Sequence, residues 1–345
     1  MKLMYVIVPL LLMPSFAFAV TDTVFINNQY TALLNRQHLL IFSDATGNLP
    51  FEKIKTVNAF RTPIHAIPNL GTTKTTVWIK FTLFNGTNQP QIAVDLKESN
   101  LNYVRLYYPI DNHGNYAYED RGNLIRVSSH KYRTQYNVFS VPIAPNSSST
   151  IYMRIKSAGQ IVVPVFVGTE DNIFEDISND KLIFGIYLGI IVIMIFYNLF
   201  IYLSVKDVSY IYYIIFIFFV GFAQACLGGY GYNYIWSKVP FITLQSINWS
   251  GALSAIASIL FVRVFLNTSK NTPLVDKILS GFIVIDCINI LLTLAGFYNI
   301  SYVLIDLIAF IGSFTLWGIG AYLAFKGYRP AKFFLIAWSF FLLSV

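Results

Sequence analysis

The sequence predicts a multi-domain chain: an exported all-β sandwich followed by an all-α polytopic membrane helix bundle. Residues 1–19 have the composition of a signal peptide, residues 20–178 show strand patterns, and residues 179–345 consist mainly of long apolar runs. Of all residues, 55% are hydrophobic and only 12% are charged, whereas a typical soluble domain has about 25% charged residues. The chain therefore divides into an exported part and a membrane part.

Residues 1–19 have the three parts of a secretory signal peptide. The segment reads MKLMYVIVPLLLMPSFAFA, with a positive charge at Lys2, a short apolar stretch, and small residues at Ala17 and Ala19. Small residues at these two positions define a cleavage site, so we expect cleavage before Val20. An uncleaved anchor helix is the alternative interpretation. In both cases, residue 20 onward begins outside the cytoplasm.

Alternating side chains predict β-strands throughout residues 20–178. Residues 77–83 read VWIKFTL, with apolar residues at every second position, and Asn85-Gly86 then ends the run with a turn signal. Many short strands separated by polar turns are typical of a β-sandwich. Both cysteines of the chain lie beyond this region, so core packing alone must hold the sandwich together. Similar strand patterns recur at 101–109, 135–142, 150–155 and 161–167.

Six long apolar runs predict the membrane helices. The first five reach the roughly 20 residues that cross a bilayer, whereas the sixth stops where the chain stops. With residue 20 outside, the first span runs inward and the connections alternate between the two sides. The connections expected inside carry seven Lys or Arg residues, counting their flanks, and those expected outside carry only Lys238. This bias is consistent with the positive-inside rule. The runs are 182–204, 208–230, 247–266, 278–297, 300–325 and 333–345.

The remaining composition argues against several classes of protein. The net charge of +7 comes largely from basic residues between apolar segments, not from a basic stripe with exposed aromatics, so nucleic-acid binding is not expected. No P-loop, GxSxG or GxGxxG motif occurs, and an enzyme is disfavoured. The histidines have no paired spacing, so we expect no metal and no other cofactor. They are His38, His65, His113 and His130.

Two kinds of side chain are candidates for a functional role. Asp286 and Asp306 lie inside predicted spans, where a charged residue marks a signalling or proton-carrying site unless interhelical hydrogen bonds satisfy it. In the exported domain, aromatic rings can stack on sugar faces while Arg and Lys bind hydroxyls or carboxylates. The alternative to a binding role is that the aromatic residues belong to the core and the basic residues lie on the solvated surface. The ligand-binding candidates are Trp78, Tyr107, Tyr108, Tyr116, Tyr118, Lys131, Tyr132, Arg133 and Arg154.

Several motifs occur in an order that resembles a known family. In the exported part they are DATGNL at 44–49, Phe60, NLG at 69–71, VWIKF at 77–81, residues 103–108, RGN at 121–123 and YMRI at 152–155. In the membrane part they are YLGI at 187–190, YNLF at 197–200, Tyr210 with Tyr212-Tyr213, Gly228, Gly231-Tyr232 and Trp236. The exported segment resembles the type 2 periplasmic domain of the bacterial seven-transmembrane receptors with diverse intracellular signalling modules (7TM-DISM receptors). The membrane part is similar to their first hairpin and the loop after it.

The resemblance implies a receptor in the bacterial inner membrane with its N-terminal domain in the periplasm. A jelly-roll-like sandwich, similar to carbohydrate-binding modules, is expected to detect a small ligand. Helix shifts in a seven-helix bundle then carry the signal to a cytoplasmic output such as a diguanylate cyclase, histidine kinase or phosphatase. The expected partners are membrane lipid, a sugar or acidic metabolite as ligand, and a second copy of the chain. Nucleic acid is not among them.

The chain departs from the family pattern at two places. Residues 128–133 read SSHKYR, where the family tends to carry an arginine-proline pair before a Val-Phe strand. The chain also ends at Val345, within the sixth run, so we expect a truncated chain that lacks the seventh span and the output module. Two other functions stay open. One is a membrane-anchored binding protein without signalling output, and the other is a transporter that uses Asp286 and Asp306, for which no inverted repeat is evident.

Overall fold

The computed structural model describes residues 22–29, 31–111, 113–125, 132–237 and 239–344. The predicted signal peptide and Lys131 lie outside these described residues. A β-rich unit is followed by a helical unit, which confirms the predicted fold class. The strands are β1 (Val24–Ile26), β2 (Ala32–Leu33), β3 (Leu40–Asp44), β4 (Asn69–Thr72), β5 (Thr76–Asn85), β6 (Gln91–Leu96), β7 (Tyr103–Pro109), β8 (Tyr116–Arg121), β9 (Asn137–Pro142), β10 (Ser148–Lys156), β11 (Gln160–Val162) and β12 (Val165–Gly168).

Two sheets form the sandwich. Sheet I has the order β1-β5-β10-β7-β8, with β3 also paired to β5, and sheet II has the order β2-β12-β6-β9. β1 runs parallel to β5, and the other pairs in both sheets are antiparallel. The chain changes sheet between β5 and β6, β6 and β7, β8 and β9, and β9 and β10. Repeated crossing between two packed sheets is the behaviour of a jelly-roll-like sandwich.

Alternation along the strands separates the core from the outer faces. In β5, Val77, Ile79 and Phe81 are buried between the two sheets, as the period-two pattern predicts. Trp78 points to the opposite side of sheet I and is also fully buried. The short helix α1 (Phe51–Lys55) covers it there, with the ring of Phe51 stacked at 6.3 Å. Sheet I is therefore covered on both faces at this point.

The helical part follows the last strand directly. Five helices in the described part of the chain are long and apolar enough to cross a membrane: Glu170–Val205, Ser209–Leu227, Ile242–Phe265, Pro273–Leu294 and Tyr298–Phe325. The helices are α2 (Glu170–Val205), α3 (Ser209–Leu227), α4 (Pro240–Phe265), α5 (Thr268–Asn271), α6 (Pro273–Leu294), α7 (Tyr298–Phe325) and α8 (Arg329–Ser344), and a π-helical turn covers Gly231–Ile235.

Helix α2 begins well before the predicted span at 182–204. Thr169 caps its N-terminus by accepting a hydrogen bond from the N–H of Asn172 (3.3 Å), and two acidic residues in the first turn complement the helix dipole. Ile173 and Ile177 then pack on the outer face of sheet II. With 36 residues, the helix is about 54 Å long. One rigid element therefore lies against the sandwich and continues into the membrane.

The ends of the bundle away from the sandwich are held by turns and by one ion pair. Lys206 ends α2 in the left-handed region (φ 60), and its N–H donates to the carbonyl of Tyr202 at 2.7 Å. α2 and α3 are antiparallel neighbours across this turn, as the short connection predicts. Arg263 of α4 donates two hydrogen bonds to Asp276 of α6, both at 2.8 Å. These contacts join consecutive helices on the side away from the sandwich.

Candidate functional site

The outer face of sheet I carries a band of aromatic and charged side chains, which we call the sensor face. It consists of the outward-pointing residues of β5, β10, β7 and β8. Residues directly opposite each other on paired strands point to the same side and lie close together. One row across the four strands contains Trp78, Arg154, Arg105 and Asp120, and the next contains Lys80, Tyr152, Tyr107 and Tyr118.

Aromatic rings fill one end of the sensor face. Phe51 of α1 stacks on Tyr107, with 4.1 Å between ring centroids and 6° between planes, and it lies 5.0 Å from Tyr116. Trp78 lies 5.6 Å from Tyr107, and both of these rings are buried. These predicted ligand-binding rings therefore form a second, smaller core beneath α1. Tyr118 differs, because 56% of it is exposed beside this core.

A cavity of about 300 Å³ opens at the other end of the sensor face. We call it the basic cleft. Four cationic side chains and one carboxylate line it, so its charge favours an anionic ligand. The lining residues are Tyr103, Val104, Arg105, Asp120, Arg121, Ile125, Arg154 and Lys156.

The cations of the basic cleft differ in how many hydrogen bonds they already make within the protein. Arg105 donates two hydrogen bonds to Asp120, at 2.6 and 2.8 Å, and these bonds raise the pKa of the guanidinium. Arg154 donates to the carbonyl of Gly47 at 2.9 Å, but its buried Nε has no hydrogen-bond partner among the described residues. Lys156 is exposed at the rim. Arg154 and Lys156 are therefore the cations most available to a ligand.

Arg121 lies deeper, at the base of the basic cleft. It is only 2% exposed, it pairs with Glu119 at 2.5 Å, and burial lowers the pKa of its guanidinium. The chain turns sharply at Gly122, whose φ is +113. A Cβ atom at this position would lie 2.4 Å from the carbonyl oxygen of Asn102, so only glycine fits. The base of the cleft is thus tightly packed against the start of β7.

The π-helical turn after α3 docks directly beneath this base. The hydroxyl of Tyr232 donates to the carbonyl oxygens of Gly122 (3.2 Å) and Ile125. Tyr232 is itself buried, at 7% exposure. Because Ile125 also lines the basic cleft, a single short loop contacts both the cleft and the membrane part.

A second set of contacts surrounds Tyr232. Arg133 donates from Nε (3.2 Å) and Nη2 (2.6 Å) to the carbonyl oxygen of Asn233, and its guanidinium lies 5.1 Å from the ring of Tyr234. Asn100 donates to the carbonyl of Leu227 at 2.9 Å. Arg133, a predicted ligand-binding residue, therefore lies at the junction between the sandwich and the helices.

Both parts of the chain match models of one family. Residues 36–169 match the model described as 7TMR-DISM extracellular 2, and residues 180–345 match the model described as 7TM diverse intracellular signalling. The chain belongs to the 7TMR-DISM family. It is a multi-pass membrane protein with an extracellular domain, and neither matched region is a catalytic domain. No curated protein matches the chain.

The family predicted from the sequence motifs is thus confirmed, and its two regions meet at the junction described above. The basic cleft lies in the 7TMR-DISM extracellular region and Tyr232 lies in the membrane region. Tyr232 and Asn233 were not predicted as site residues. The motif at Gly231-Tyr232 was the only signal, because the sequence alone does not say what a loop tyrosine contacts.

The outer face of sheet II holds the second connection in this 7TMR-DISM chain. Tyr132 donates to Glu170 of α2 at 2.8 Å, and Lys97 pairs with Asp180 of α2 at 2.7 Å. Beneath the helix, Asp95 is 2% exposed, and burial raises the pKa of its carboxyl to about 7. Tyr132 therefore holds α2 on the sandwich and does not lie at the basic cleft.

The predicted site residues that the structure describes separate into four groups. Tyr108 packs against the core between the sheets. Tyr132 and Arg133 contact the helical part, and Lys131 lies outside the described residues. In the membrane, Asp286 is completely buried and Asp306 is exposed on the surface of α7. Within the described residues, no group of three His, Cys, Asp or Glu side chains is placed to hold a metal. The sensor face brings together Trp78, Tyr107, Tyr116, Tyr118 and Arg154.

Proposed function

We propose that this 7TMR-DISM chain is a bacterial inner-membrane receptor whose periplasmic sandwich binds a small anionic ligand in the basic cleft. The ligand class is a sugar that bears a carboxylate, or another acidic metabolite. The observation that carries the proposal is the lining of the cleft, where four cationic side chains accompany a single carboxylate. An excess of cations in a concave site attracts anions and orients them.

Two neighbouring residues of β10 supply the expected anchors. Arg154 and Lys156 are two positions apart on one strand, so both side chains point to the sensor face. The guanidinium of Arg154 and the ammonium of Lys156 both line the cleft and can bind one carboxylate together. Tyr103 lies directly opposite Lys156 and is 49% exposed, which offers a ring for the face of a sugar. This combination favours an acidic sugar over a neutral one.

The loop at the base of the basic cleft offers a route for the signal. Arg121 and Ile125 line the cleft, and the carbonyl of Ile125 accepts the hydrogen bond from Tyr232. A ligand that draws Arg121 toward its carboxylate is expected to shift this loop and, with it, the π-helical turn between α3 and α4. A ligand changes such an equilibrium only by binding one arrangement more tightly than the other. The relay therefore depends on Arg121 moving between Glu119 and the ligand.

Binding to the full chain in lipid nanodiscs tests the proposal, with galacturonate and galactose as a matched acidic and neutral pair. We expect galacturonate to raise the unfolding temperature of the sandwich and galactose to have a smaller effect. Lys156→Gln and Arg154→Gln each remove a charged hydrogen bond worth about 1.5–3 kcal/mol, so we expect the affinity for galacturonate to fall about 10-fold or more.

The control for these variants is Lys53→Gln, because Lys53 lies exposed on α1 and outside the basic cleft. Its affinity for the acidic sugar is expected to equal that of the unmodified chain. Equal binding of the two sugars, or affinity that Lys53→Gln lowers as much as Lys156→Gln does, contradicts an anionic site in the cleft.

A further inference from the structure

A buried polar cluster lies in the sandwich-side half of the membrane bundle, apart from the basic cleft. Asn248 of α4, Asp286 and Asn289 of α6, and Ser301 of α7 are all completely buried. The hydroxyl of Ser301 donates to Oδ1 of Asn289 at 2.7 Å, which joins α6 to α7. Because α4 packs against both α6 and α7, the cluster occupies the faces on which the three helices meet.

Asn248 and Asp286 are equally far from the sandwich-side ends of their helices. α4 starts at Pro240 and α6 ends at Leu294, both on the side of the sandwich. Each of the two residues is eight positions from that end, or about 12 Å along its helix. Asn289 follows Asp286 by three positions, so the two side chains are neighbours on one face of α6. The carboxyl therefore has one amide beside it on α6 and a second amide on α4 at a similar distance from the sandwich-side helix end.

Several polar atoms of this cluster have no hydrogen-bond partner among the described residues. They are both carboxylate oxygens of Asp286, both amide atoms of the Asn248 side chain, and Nδ2 of Asn289. None of these atoms approaches another polar atom of the described residues within hydrogen-bond distance. Such groups are normally bridged by water or an ion when they are buried.

The helix segments around Asp286 contain no basic residue that could neutralise it. Residues 240–252, 284–294 and 298–311, which form the sandwich-side parts of α4, α6 and α7, contain no Lys or Arg. Arg263, at the other end of α4, is already held by Asp276. An unpaired carboxylate inside a bilayer costs free energy, so a proton or a cation is expected to neutralise its charge. A proton removes the charge but brings no partner to Oδ1 of Asn248, whereas a hydrated cation can bind this oxygen and its waters can accept from the Nδ2 groups of Asn248 and Asn289.

Polar side chains connect this cluster to the side of the sandwich. Thr243 and Gln245 of α4 are buried there, and each has an unpartnered polar atom among the described residues. In the opposite direction, the same face of α6 continues with Phe282 and Leu279, which are apolar. The buried polar residues of α6, which are Asp286, Asn289 and Thr293, therefore all lie in its sandwich-side half.

We infer that Asp286 and the amides of Asn248 and Asn289 hold a partly hydrated monovalent cation between α4, α6 and α7, with sodium as the ion to test. A single carboxylate assisted by amide and water oxygens matches the charge of a monovalent ion. Ca²⁺ sites in proteins, by comparison, usually combine several carboxylates. The ion binds α4 and α6 at once, and Asn289 is in turn joined to Ser301 of α7, so binding stabilises the packed arrangement of the three helices.

Thermal unfolding of the full chain in nanodiscs tests the site, with NaCl compared with choline chloride at equal ionic strength. We expect sodium to raise the unfolding temperature of the bundle by about 2–5 °C in a saturable manner. Asp286→Asn is expected to abolish the shift. Asp306→Asn is the matched control, because Asp306 is also a carboxylate inside a membrane helix but lies exposed on α7. It is expected to keep the full shift.

A second measurement keeps the inference testable if Asp286→Asn does not fold. Equilibrium binding of radioactive sodium to the unmodified chain in excess choline is expected to saturate at one ion per chain. An equal response to potassium supports a monovalent site without preference for sodium. The inference is overturned if neither ion shifts the unfolding temperature, if no saturable binding occurs, or if Asp286→Asn responds as Asp306→Asn does.

Discussion

The outer faces of the two sheets differ in what covers them. On sheet I, α1 and the residues that flank it cover one end of the sensor face, and charged residues line an open cleft at the other end. On sheet II, the first turns of α2 lie across the strands and bury Ile173 and Ile177 completely. One face is therefore accessible to a ligand, whereas the other is sealed by the helix that enters the membrane.

This difference shows how a ligand site and a membrane attachment share one small sandwich. Polar contacts on sheet I can rearrange at little cost, because water competes for them. Contacts on sheet II cannot, because separating α2 from the sheet exposes apolar surface. We expect substitutions on sheet II to affect stability and those on sheet I to affect ligand binding. Four predictions test this separation, starting with the largest expected effect.

The first prediction compares one substitution on each face. Ile177→Asp places a charge in the apolar contact between α2 and sheet II, and it is expected to lower the free energy of unfolding of the sandwich by about 5 kcal/mol. Tyr118→Asp, on the exposed part of the sensor face, is expected to cost less than about 1 kcal/mol. Urea unfolding followed by tryptophan fluorescence measures both. Similar losses in the two variants contradict the proposed difference between the faces.

The second prediction concerns the buried carboxyl under α2. Asp95 lies beneath the helix with Lys97, Asp176 and Asp180 nearby, and burial raises its pKa from 3.8 to about 7. The folded state thus retains a proton that the unfolded state releases. The contribution of Asp95 to stability is fully present below pH 3.8 and is lost as the pH rises to about 7. The total change is about 4 kcal/mol.

Asp95→Asn removes this titration and measures its size. The variant is expected to gain stability relative to the unmodified chain between pH 4 and 7 and to keep a constant advantage above that range. Glu175→Gln, which changes an exposed carboxylate on α2, is the control and is expected to leave the pH profile unchanged. Unfolding temperatures measured from pH 4 to 8 decide the matter, and parallel profiles for Asp95→Asn and the unmodified chain contradict the prediction.

The third prediction tests the link between sheet I and the membrane part. Tyr232→Phe removes the hydroxyl that donates to Gly122 and Ile125 but keeps the ring in place. It leaves two buried carbonyls without this donor, which is expected to cost about 1–3 kcal/mol of docking energy. Amide hydrogen exchange at 122–125 and in the π-helical turn is expected to accelerate by about 5- to 150-fold. Tyr234→Phe, on an exposed ring, is expected to leave the exchange unchanged.

The sequence predicted the core of the sandwich better than its attachments. Alternation in 77–83 identified the buried side of β5, because a two-residue period is a local property. The burial of Trp78 was not evident, because Phe51 covers it from a short helix without periodic apolar residues. Arg133 was predicted to bind ligand, but it contacts Asn233, which lies 100 positions away. No local pattern reveals a contact over that distance.

The boundary between the two parts was placed at 178/179 for a similar reason. Apolar length defines a membrane span, so the prediction began the first helix at 182. The turns of α2 before that point bury only a narrow stripe, including Ile173 and Ile177, and their other side chains are polar. A hydropathy pattern cannot distinguish such turns from a loop. The rigid connection between the sandwich and the membrane helices could therefore not be predicted from the sequence.

The fourth prediction has the smallest effect on stability and the most specific effect on binding. Arg105 and Asp120 form a bidentate ion pair at the basic cleft, and both side chains remain about one-third exposed, at 33% and 37%. Exposed pairs of this kind contribute at most about 1 kcal/mol, so Asp120→Asn is expected to change the unfolding temperature only slightly. The same substitution removes the one carboxylate of the cleft and frees Arg105 for a ligand. We therefore expect galacturonate to bind more tightly, with the gain largest at low salt because screening weakens it. A loss of affinity would mean that Asp120 positions Arg105 for the ligand and does not compete with it.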